Sequence, residues 1–403
     1  MDTSALRVSD GSEELGQVRW RDHKRYAWML GLLVPTIPFG AWGLHELTGW
    51  GISWWYGPIL VFAGFPILDT LAGLDGSNPP QSLIKWLEND RYYRRITYLF
   101  LPIQYASLIW ACWMWAYGGL STLDRIGLAT TVSMVSGIAI AVAHELGHKR
   151  PKLERWLAKI GLAQTFYGHF FIEHNRGHHV RVSTPEDPAS ARLGESFWVF
   201  LPRTVIGSLR SAWRLETARF ARQGKSPWTI RNDIVNAWLM SVVLYVGLVA
   251  IFGFGVLPYL LIQGVLGFTL LEVVNYLEHY GLARQKSEDG RYELVRPEHS
   301  WNSNNVWSNV MLYHLQRHSD HHANPTRRYQ ALMHADEAPQ LPSGYATMMP
   351  LAMVPPLWRW VMDKRLLDHY DSDVTRANIH PRVRARVLAR YGARADAVAR
   401  KGA

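Results

Sequence analysis

The chain has 403 residues, a formal net charge of +10 and 48% hydrophobic residues, with 19 tryptophans and 18 tyrosines. That length allows two soluble domains or one membrane protein with cytosolic additions, and so many aromatic rings are typical of a membrane interface. The single cysteine, Cys112, excludes a cluster of thiolates as the ligands of a metal.

Long charge-free segments predict that the chain crosses a membrane six times. Four such runs cover residues 26–44, 50–68, 96–123 and 126–143, and a run between Asp233 and Glu272 has room for two helices with a turn at 252–258. A helix needs about 20 apolar residues to cross the hydrocarbon core. Buried helices of a large soluble protein are the alternative, but their apolar runs rarely reach this length. We therefore predict an all-α integral membrane protein.

Positive charge is distributed unequally between the two sets of loops. It is concentrated between the second and third runs and after the fourth and sixth, whereas the opposite loops contain little beyond Arg125. By the positive-inside rule, both termini are cytoplasmic. No basic and apolar signal region begins the chain. The charged cytosolic face suits anionic lipids or an acidic protein, and since it lies against a bilayer we expect no nucleic-acid partner.

The spans divide the chain into five predicted segments. These are a cytosolic N-terminal segment (1–25), spans one to four (26–148), a cytosolic region (149–232), spans five and six (233–280) and a cytosolic C-terminal region (281–403). Within the third segment, residues 197–222 alternate apolar and arginine side chains. This pattern fits a helix lying in the membrane interface and equally an ordinary amphipathic packing helix. Residues 348–362 are apolar but broken by a proline pair, so we expect them to border the membrane domain without spanning it.

Nine histidines occur in four short segments on the predicted cytosolic side. The segments are HELGHK, EHNRGHHV, NYLEHYGL and LQRHSDHH, and they contain His144, His148, His174, His178, His179, His279, His318, His321 and His322. Two histidines four apart on a helix face the same way, and neutral imidazole binds iron, copper, zinc and nickel. Nine ligands exceed what one ion can use. We therefore predict two metal ions, and we prefer iron because structural zinc sites more often recruit thiolates.

Other polar residues are assigned less directly. Four nearby carboxylates could orient the imidazoles by accepting their second N–H: Glu173, Asp187, Glu278 and Asp320. His169, His299 and His314 lie near the cluster but outside the paired spacing, so they are at most supporting residues. Five isolated histidines are interpreted as surface or core residues: His23, His45, His334, His369 and His380.

The four histidine segments resemble the histidine boxes of the integral-membrane di-iron alkane 1-monooxygenases of bacteria. DPASARLGESFW, RQKSEDGRYE and HSWNSNN are similar to connecting segments of that family, so the likeness extends from Tyr26 to about Lys364. Membrane desaturases and carotenoid hydroxylases share the general boxes, whereas NYLEHYGL is typical of the alkane and xylene hydroxylases. The resemblance implies six transmembrane helices with a cytosolic, histidine-rich di-iron cap.

The resemblance also implies an activity and a partner. The activity is hydroxylation of medium-chain n-alkanes at a terminal carbon by O2, at two non-haem iron ions in a bacterial inner membrane, with alkane arriving from the bilayer. Electrons would come from rubredoxin, itself reduced by rubredoxin reductase; rubredoxin holds iron with four cysteines, so this chain cannot contain it. Acyl-lipid desaturation and aryl-methyl hydroxylation remain alternatives within the same architecture. A membrane metal transporter or sensor is the non-enzymatic alternative, disfavoured because the histidines avoid the membrane interior.

Overall fold

A computed structural model describes residues 12–15 and 18–399, with side chains described from Trp20 to Gly392. About half of the predicted N-terminal segment and the last four residues of the predicted C-terminal region lie outside the described residues. A short antiparallel hairpin, β1 (Ser12–Leu15) and β2 (Val18–Arg21), precedes the helices. The remainder of the described chain is essentially helical, which confirms the predicted all-α class.

Six helices are long and apolar enough to cross a membrane, and they confirm the six predicted spans. They are α1 (Ala27–Thr48), α2 (Gly51–Ala72), α4 (Arg91–Tyr117), α5 (Thr122–Gly147), α9 (Asp233–Phe252) and α10 (Phe254–His279). The chain is therefore a multi-pass membrane protein. At one end or both, each of these helices continues into polar residues that lie outside its charge-free run.

Polar caps and glycines determine where several spans begin and end. The side chains of Asp90, Ser121 and Asn232 accept the backbone N–H groups that open α4, α5 and α9. Gly253, with φ +84°, separates α9 from α10 within the predicted turn. The third span ends at Tyr117, earlier than the predicted residue 123, because the glycine pair after it stops the helix and Ser121 starts the next.

Further helices, most of them shorter than the spans, cover the end of the bundle that the loop charges assign to the cytosol. They are α3 (Ile84–Asn89), α6 (Lys152–Ala163), α7 (residues 170–181), α8 (Phe197–Ala221), α11 (Val306–Met311), α12 (His318–Ala323), α13 (Tyr345–Ala352), α14 (Pro355–His369) and α15 (Arg384–Ala399). The apolar stretch 348–362 is divided between α13 and α14, and neither is long enough to span. Helix α8 buries one face on the bundle while exposing Trp198 and Ile206, so it combines features of both predicted alternatives.

Helix α5 lies at the centre of the bundle and is buried along nearly its whole length. It packs most extensively against α10, where Gly137 allows close approach to Leu270. The hydroxyl of Ser136 donates to Gln263 Oε1 at 2.7 Å, so this polar pair is satisfied inside the bundle. Because α5 is held on all sides, the histidines at its end have fixed positions.

Candidate metal centre

The nine predicted ligands converge from four elements into two adjacent clusters. We call His144, His148, His174, His179 and His321 the five-histidine group, and His178, His279, His318 and His322 the four-histidine group. Within each group, the candidate ligand atoms all lie within 4.8 Å of one another. The structure therefore brings together all nine histidines selected from the sequence.

Helix geometry explains part of this division. His144 and His148 occupy successive turns at the end of α5 and both join the five-histidine group. On α12, His318 and His322 are likewise four apart, and their Nε2 atoms lie 2.9 Å from each other in the four-histidine group. His321 points to the other group, where its Nε2 lies 2.9 Å from that of His144. Helix α12 thus supplies ligands to both groups.

A local change of helix type divides the histidines of α7. Residues His174–His178 form a π-helical turn, in which residues five apart share a face. His174 and His179 consequently lie with their Nε2 atoms 3.1 Å apart in the five-histidine group. His178 joins the other group, with its Nε2 3.2 Å from that of His322. In a regular α-helix, His174 and His178 would have been the pair.

The distances between ring nitrogens fit metal binding. Six pairs of Nε2 atoms in the two groups are separated by 2.9 to 3.2 Å. Two imidazole nitrogens that each lie about 2.1 Å from one ion, at right angles, are about 3.0 Å apart. Imidazole is also the donor that iron, copper, zinc and nickel accept. Both the spacing and the donor type therefore suit one transition-metal ion in each group.

Burial keeps those members of the groups that lie outside the spans neutral. It lowers the pKa of His148, His174, His318, His321 and His322 well below the ordinary value, and neighbouring imidazoles lower it further. The pKa of His179 shifts in the same direction for the same reasons. A neutral ring has a free lone pair, so at physiological pH these rings are ready to bind a cation.

Asp187 lies behind one ring of the four-histidine group. Its Oδ2 is 2.9 Å from His178 Nδ1 and accepts the Ser190 hydroxyl at 2.6 Å. Burial raises the pKa of Asp187, but the electrostatic attraction of His178 and the hydrogen bonds from His178 and Ser190 together lower it to about 2. An ionised Asp187 therefore holds the proton of His178 on Nδ1 and directs Nε2 toward the group.

Glu278 has a different position from the one expected of a supporting carboxylate. Its Oε2 lies 3.2 Å from His318 Nε2, on the side where the other ligand nitrogens converge. Its Oε1 accepts the Tyr345 hydroxyl at 2.8 Å. The carboxylate is thus beside the four-histidine group as a possible additional ligand, and not behind a ring. Tyr345, which the sequence did not single out, fixes its orientation.

The other two predicted carboxylates form no hydrogen bond or ion pair with the nine rings. Glu173 binds Arg181 at 2.7 Å, and Asp320 forms a bidentate pair with Arg327 at 2.6 and 2.7 Å. Asp320 also accepts the backbone N–H of Met333 at 2.9 Å. These two groups support the local backbone of α7 and α12 and do not orient an imidazole directly.

The remaining eight histidines lie outside both groups. His314 Nδ1 faces the Tyr329 carbonyl, and the ring of His169 packs on Tyr167. The carbonyl of His299 lies 3.4 Å from His279 Nδ1, so this residue meets the four-histidine group through its backbone. The sequence had no signal for that contact, because it depends on how the loop after α10 folds back.

A groove rich in positive charge lies close to the four-histidine group. This basic groove has a volume of about 400 Å³, and its cationic residues are Arg192, Arg284, Lys286, Arg376 and Arg384. No carboxylate of the described residues lies within ion-pair distance of any of the five. Its wall connects to the ligands, since the Arg284 N–H donates to Ser183 O at 2.8 Å and the Ser183 hydroxyl donates to His299 O at 2.7 Å.

Comparisons with known proteins agree with this architecture. The model of the fatty acid desaturase family matches residues 123–352. The alkane 1-monooxygenase of Acinetobacter baylyi is 48% identical over 374 residues, covering 92% of each chain. An alkane 1-monooxygenase of Alcanivorax borkumensis is 45% identical with the same coverage. The hydroxylase component of the xylene/toluene monooxygenase of Pseudomonas putida is 27% identical, over 80% of this chain and 86% of the relative.

Proposed function

The chain belongs to the alkane 1-monooxygenases, within the fatty acid desaturase family, and we propose that it hydroxylates medium-chain n-alkanes at the terminal carbon to primary alcohols. The observation that supports this proposal most directly is the pair of histidine groups at the end of the central span. The more distant likeness to the xylene/toluene enzyme makes aryl-methyl hydroxylation the less favoured substrate class.

We propose iron as the metal, with one ion in each histidine group. When bound, the two ions would supply the redox chemistry that uses O2 and two electrons to place one oxygen atom in a C–H bond and release the other as water. Imidazole is a neutral ligand, so the nine rings would leave the positive charge of the ions uncancelled. Asp187 fixes the tautomer of His178 through the Nδ1 hydrogen bond, and Glu278 completes the four-histidine group with a carboxylate oxygen.

The surrounding side chains prepare the site for a hydrocarbon. Phe170 stacks on His174 with ring centroids 4.7 Å apart, so the five-histidine group has an apolar surface beside it. The interior face of α5 leading to His144 is made of small and aliphatic residues. An alkane whose end lies at the histidines would therefore have apolar surroundings. The terminal methyl would be selected because the alkane is held with its end at the metals, and not because its C–H bonds are weaker than the others.

The orientation in the membrane follows the charge distribution. We propose that both termini and the histidine groups lie on the cytoplasmic side of a bacterial inner membrane, because the loops on that side contain most of the lysines and arginines. This orientation exposes the basic groove to soluble electron donors.

For the donor we propose a separate rubredoxin that docks on the basic groove. An acidic protein would find five cations there, none of which forms an ion pair with a carboxylate of the described residues. Three hydrogen bonds in series, through Ser183 and the His299 carbonyl, link Arg284 in the wall of the groove to His279 in the four-histidine group. Exposed Val180, next to His179 and bonded through its carbonyl to Arg284, adds an apolar contact at the rim. Electrostatic attraction mainly accelerates such an encounter.

One assay tests the activity. The purified protein is given ferrous iron, reduced rubredoxin and octane, and the products are identified by mass spectrometry. We expect 1-octanol, whereas octene, internal alcohols or p-xylene oxidation in preference to octane would contradict the proposed reaction.

A pair of substitutions in the basic groove tests the docking of the donor. Lys286→Gln with Arg376→Gln should raise the KM for rubredoxin and make that KM less dependent on salt. Arg210→Gln with Arg214→Gln, which removes two exposed arginines of α8 outside the groove, is the matched control.

A further inference from the structure

We propose that a second basic site, separate from the metal centre, binds the phosphate headgroup of an anionic phospholipid. The site is a pocket of about 210 Å³ between α14, α15 and the loop that leads into α8. Its polar lining consists of Arg359, Asp363, Arg386, Arg390 and Tyr391, and we call it the arginine pocket. It contributes no residue to either histidine group, so this inference does not depend on the proposed reaction.

The charges of the arginine pocket favour an anion. Three guanidinium groups face one carboxylate, and that carboxylate is already engaged, because Asp363 accepts the Tyr280 hydroxyl at 2.9 Å and the Tyr391 hydroxyl at 2.8 Å. Burial also raises the pKa of Asp363, which weakens it as a counter-charge. None of the three arginines forms an ion pair with a carboxylate of the described residues. An oxygen-rich anion in the pocket would neutralise this excess charge.

The surface beside the pocket identifies the anion as part of a lipid. On α14, Trp360, which follows Arg359 in the chain, is 80% exposed, and Leu357, on the same helix face one turn before Trp360, is 49% exposed. Trp198, at the start of α8, is 55% exposed, and its indole N–H donates to the Met353 carbonyl at 2.9 Å, which joins the two exposed surfaces. Exposed tryptophans beside arginines are typical of the headgroup level of a bilayer.

The position of these helices relative to the spans agrees with that level. Helix α13, which leads directly into α14, packs against α2 and α10, both of which cross the membrane. The start of α14 therefore lies where these spans leave the hydrocarbon, and the pocket lies just beyond it. Acyl chains can lie along Leu357 and Trp360 while the phosphate enters the pocket. A free phosphate ion would make no use of this apolar surface.

The test compares lipids and matched variants of the full-length protein. The protein is placed in nanodiscs of phosphatidylcholine alone or with 30% phosphatidylglycerol, and the lipids that remain bound after detergent extraction are counted by native mass spectrometry. Wild type should retain phosphatidylglycerol in preference to phosphatidylcholine and unfold at a higher temperature in its presence. Arg386→Gln with Arg390→Gln should lower that retention by about tenfold, since each juxtamembrane cation contributes about fivefold or less.

Two controls separate the possible causes. Arg210→Gln with Arg214→Gln removes the same charge from the exposed face of α8 and should retain phosphatidylglycerol as wild type does. Inorganic phosphate added to phosphatidylcholine discs should give no stabilisation. Equal retention by the pocket variant and wild type, an equal loss in the control variant, or full stabilisation by inorganic phosphate would each overturn the assignment to a phospholipid. Arg386 and Arg390 are exposed, so their substitution should leave the fold intact. Arg359→Gln tests the same pocket with an independent substitution.

Discussion

The two histidine groups differ in the carboxylates that reach their rings. In the four-histidine group, Asp187 supports His178 and Glu278 stands beside His318. In the five-histidine group no carboxylate of the described residues forms a hydrogen bond or ion pair with a ring. Five imidazoles could fill the coordination sphere of a metal ion by themselves, whereas the group with four would gain a fifth donor from Glu278, as proposed above. The two groups would therefore give their ions different surroundings, although nearly all the candidate ligands are alike.

The basic groove adds a second difference between the groups. It connects through Ser183 and the His299 carbonyl to His279, a member of the four-histidine group. The five-histidine group instead has Phe170 stacked on His174. The carboxylate-supported group thus faces the proposed electron donor, and the all-imidazole group has the apolar contact suited to a hydrocarbon.

Removing one ligand from either group should have the largest effect. His321→Ala and His318→Ala each delete a ring from one group, and each should reduce bound iron from two ions per chain to about one and abolish 1-octanol formation. Iron is measured in the purified membrane protein by elemental analysis. His334→Ala is the control, because that ring lies outside both groups and pairs with exposed Asp336. Retention of two ions in either ligand variant would remove that histidine from the site.

Glu278→Gln should distinguish the groups. If the carboxylate is a ligand, the neutral amide should weaken iron binding in the four-histidine group by about 100-fold, at the upper end of losses seen around metal sites, and leave the other ion in place. Iron affinity is measured by competition with a chelator. Tyr345→Phe removes the hydroxyl that orients Glu278 but keeps the charge, so it should cost much less. Equal losses in the two variants would mean that Glu278 acts only through its hydrogen bond.

Asp187→Asn should have a smaller effect on the same group. The amide can still meet His178 Nδ1, but it carries no charge to hold the ring in its present tautomer, so iron affinity should fall by about tenfold. The affinity of the five-histidine group should not change, and the same chelator competition reports both. Ser190→Ala removes one of the hydrogen bonds to Asp187 and should give a loss smaller than that of Asp187→Asn. An effect divided equally between the two ions would contradict the assignment of Asp187 to one group.

The histidines were predictable because their spacing and their topology gave independent indications. His144 and His148 share a helix face by periodicity, and the positive loops assign them to the same side of the membrane as His318 and His322. The spans were predictable for a similar reason, since apolar length alone identifies them. The resemblance to a known family then identified the same four segments.

The division into groups was not predictable from spacing. It depends on the π-helical turn at His174–His178, because this turn places the ring of His179, and not that of His178, in the same group as His174. Glu278 was interpreted as a support, but its side chain is directed by Tyr345, 67 residues away along the chain. The basic groove escaped notice because its cations come from three distant segments. In each case the deciding contact is between residues far apart in sequence or depends on a local irregularity of the backbone.

Gly177→Ala should produce the smallest effect, and it tests the π-helical turn itself. A Cβ at this position would lie 2.5 Å from Glu173 Oε2 and 2.6 Å from an Arg181 nitrogen, so the ion pair between these side chains must shift. Overpacking costs about 1–3 kcal/mol, and the gain in helix propensity from glycine to alanine offsets about 1 kcal/mol of that. We expect a net loss of about 1 kcal/mol in unfolding free energy, measured by denaturation in mixed micelles. Gly392→Ala, where the added Cβ meets no atom within 4 Å, should instead be neutral or stabilising. A gain in Gly177→Ala equal to that of Gly392→Ala would show that Glu173 and Arg181 rearrange without cost, and that the turn does not depend on their pairing.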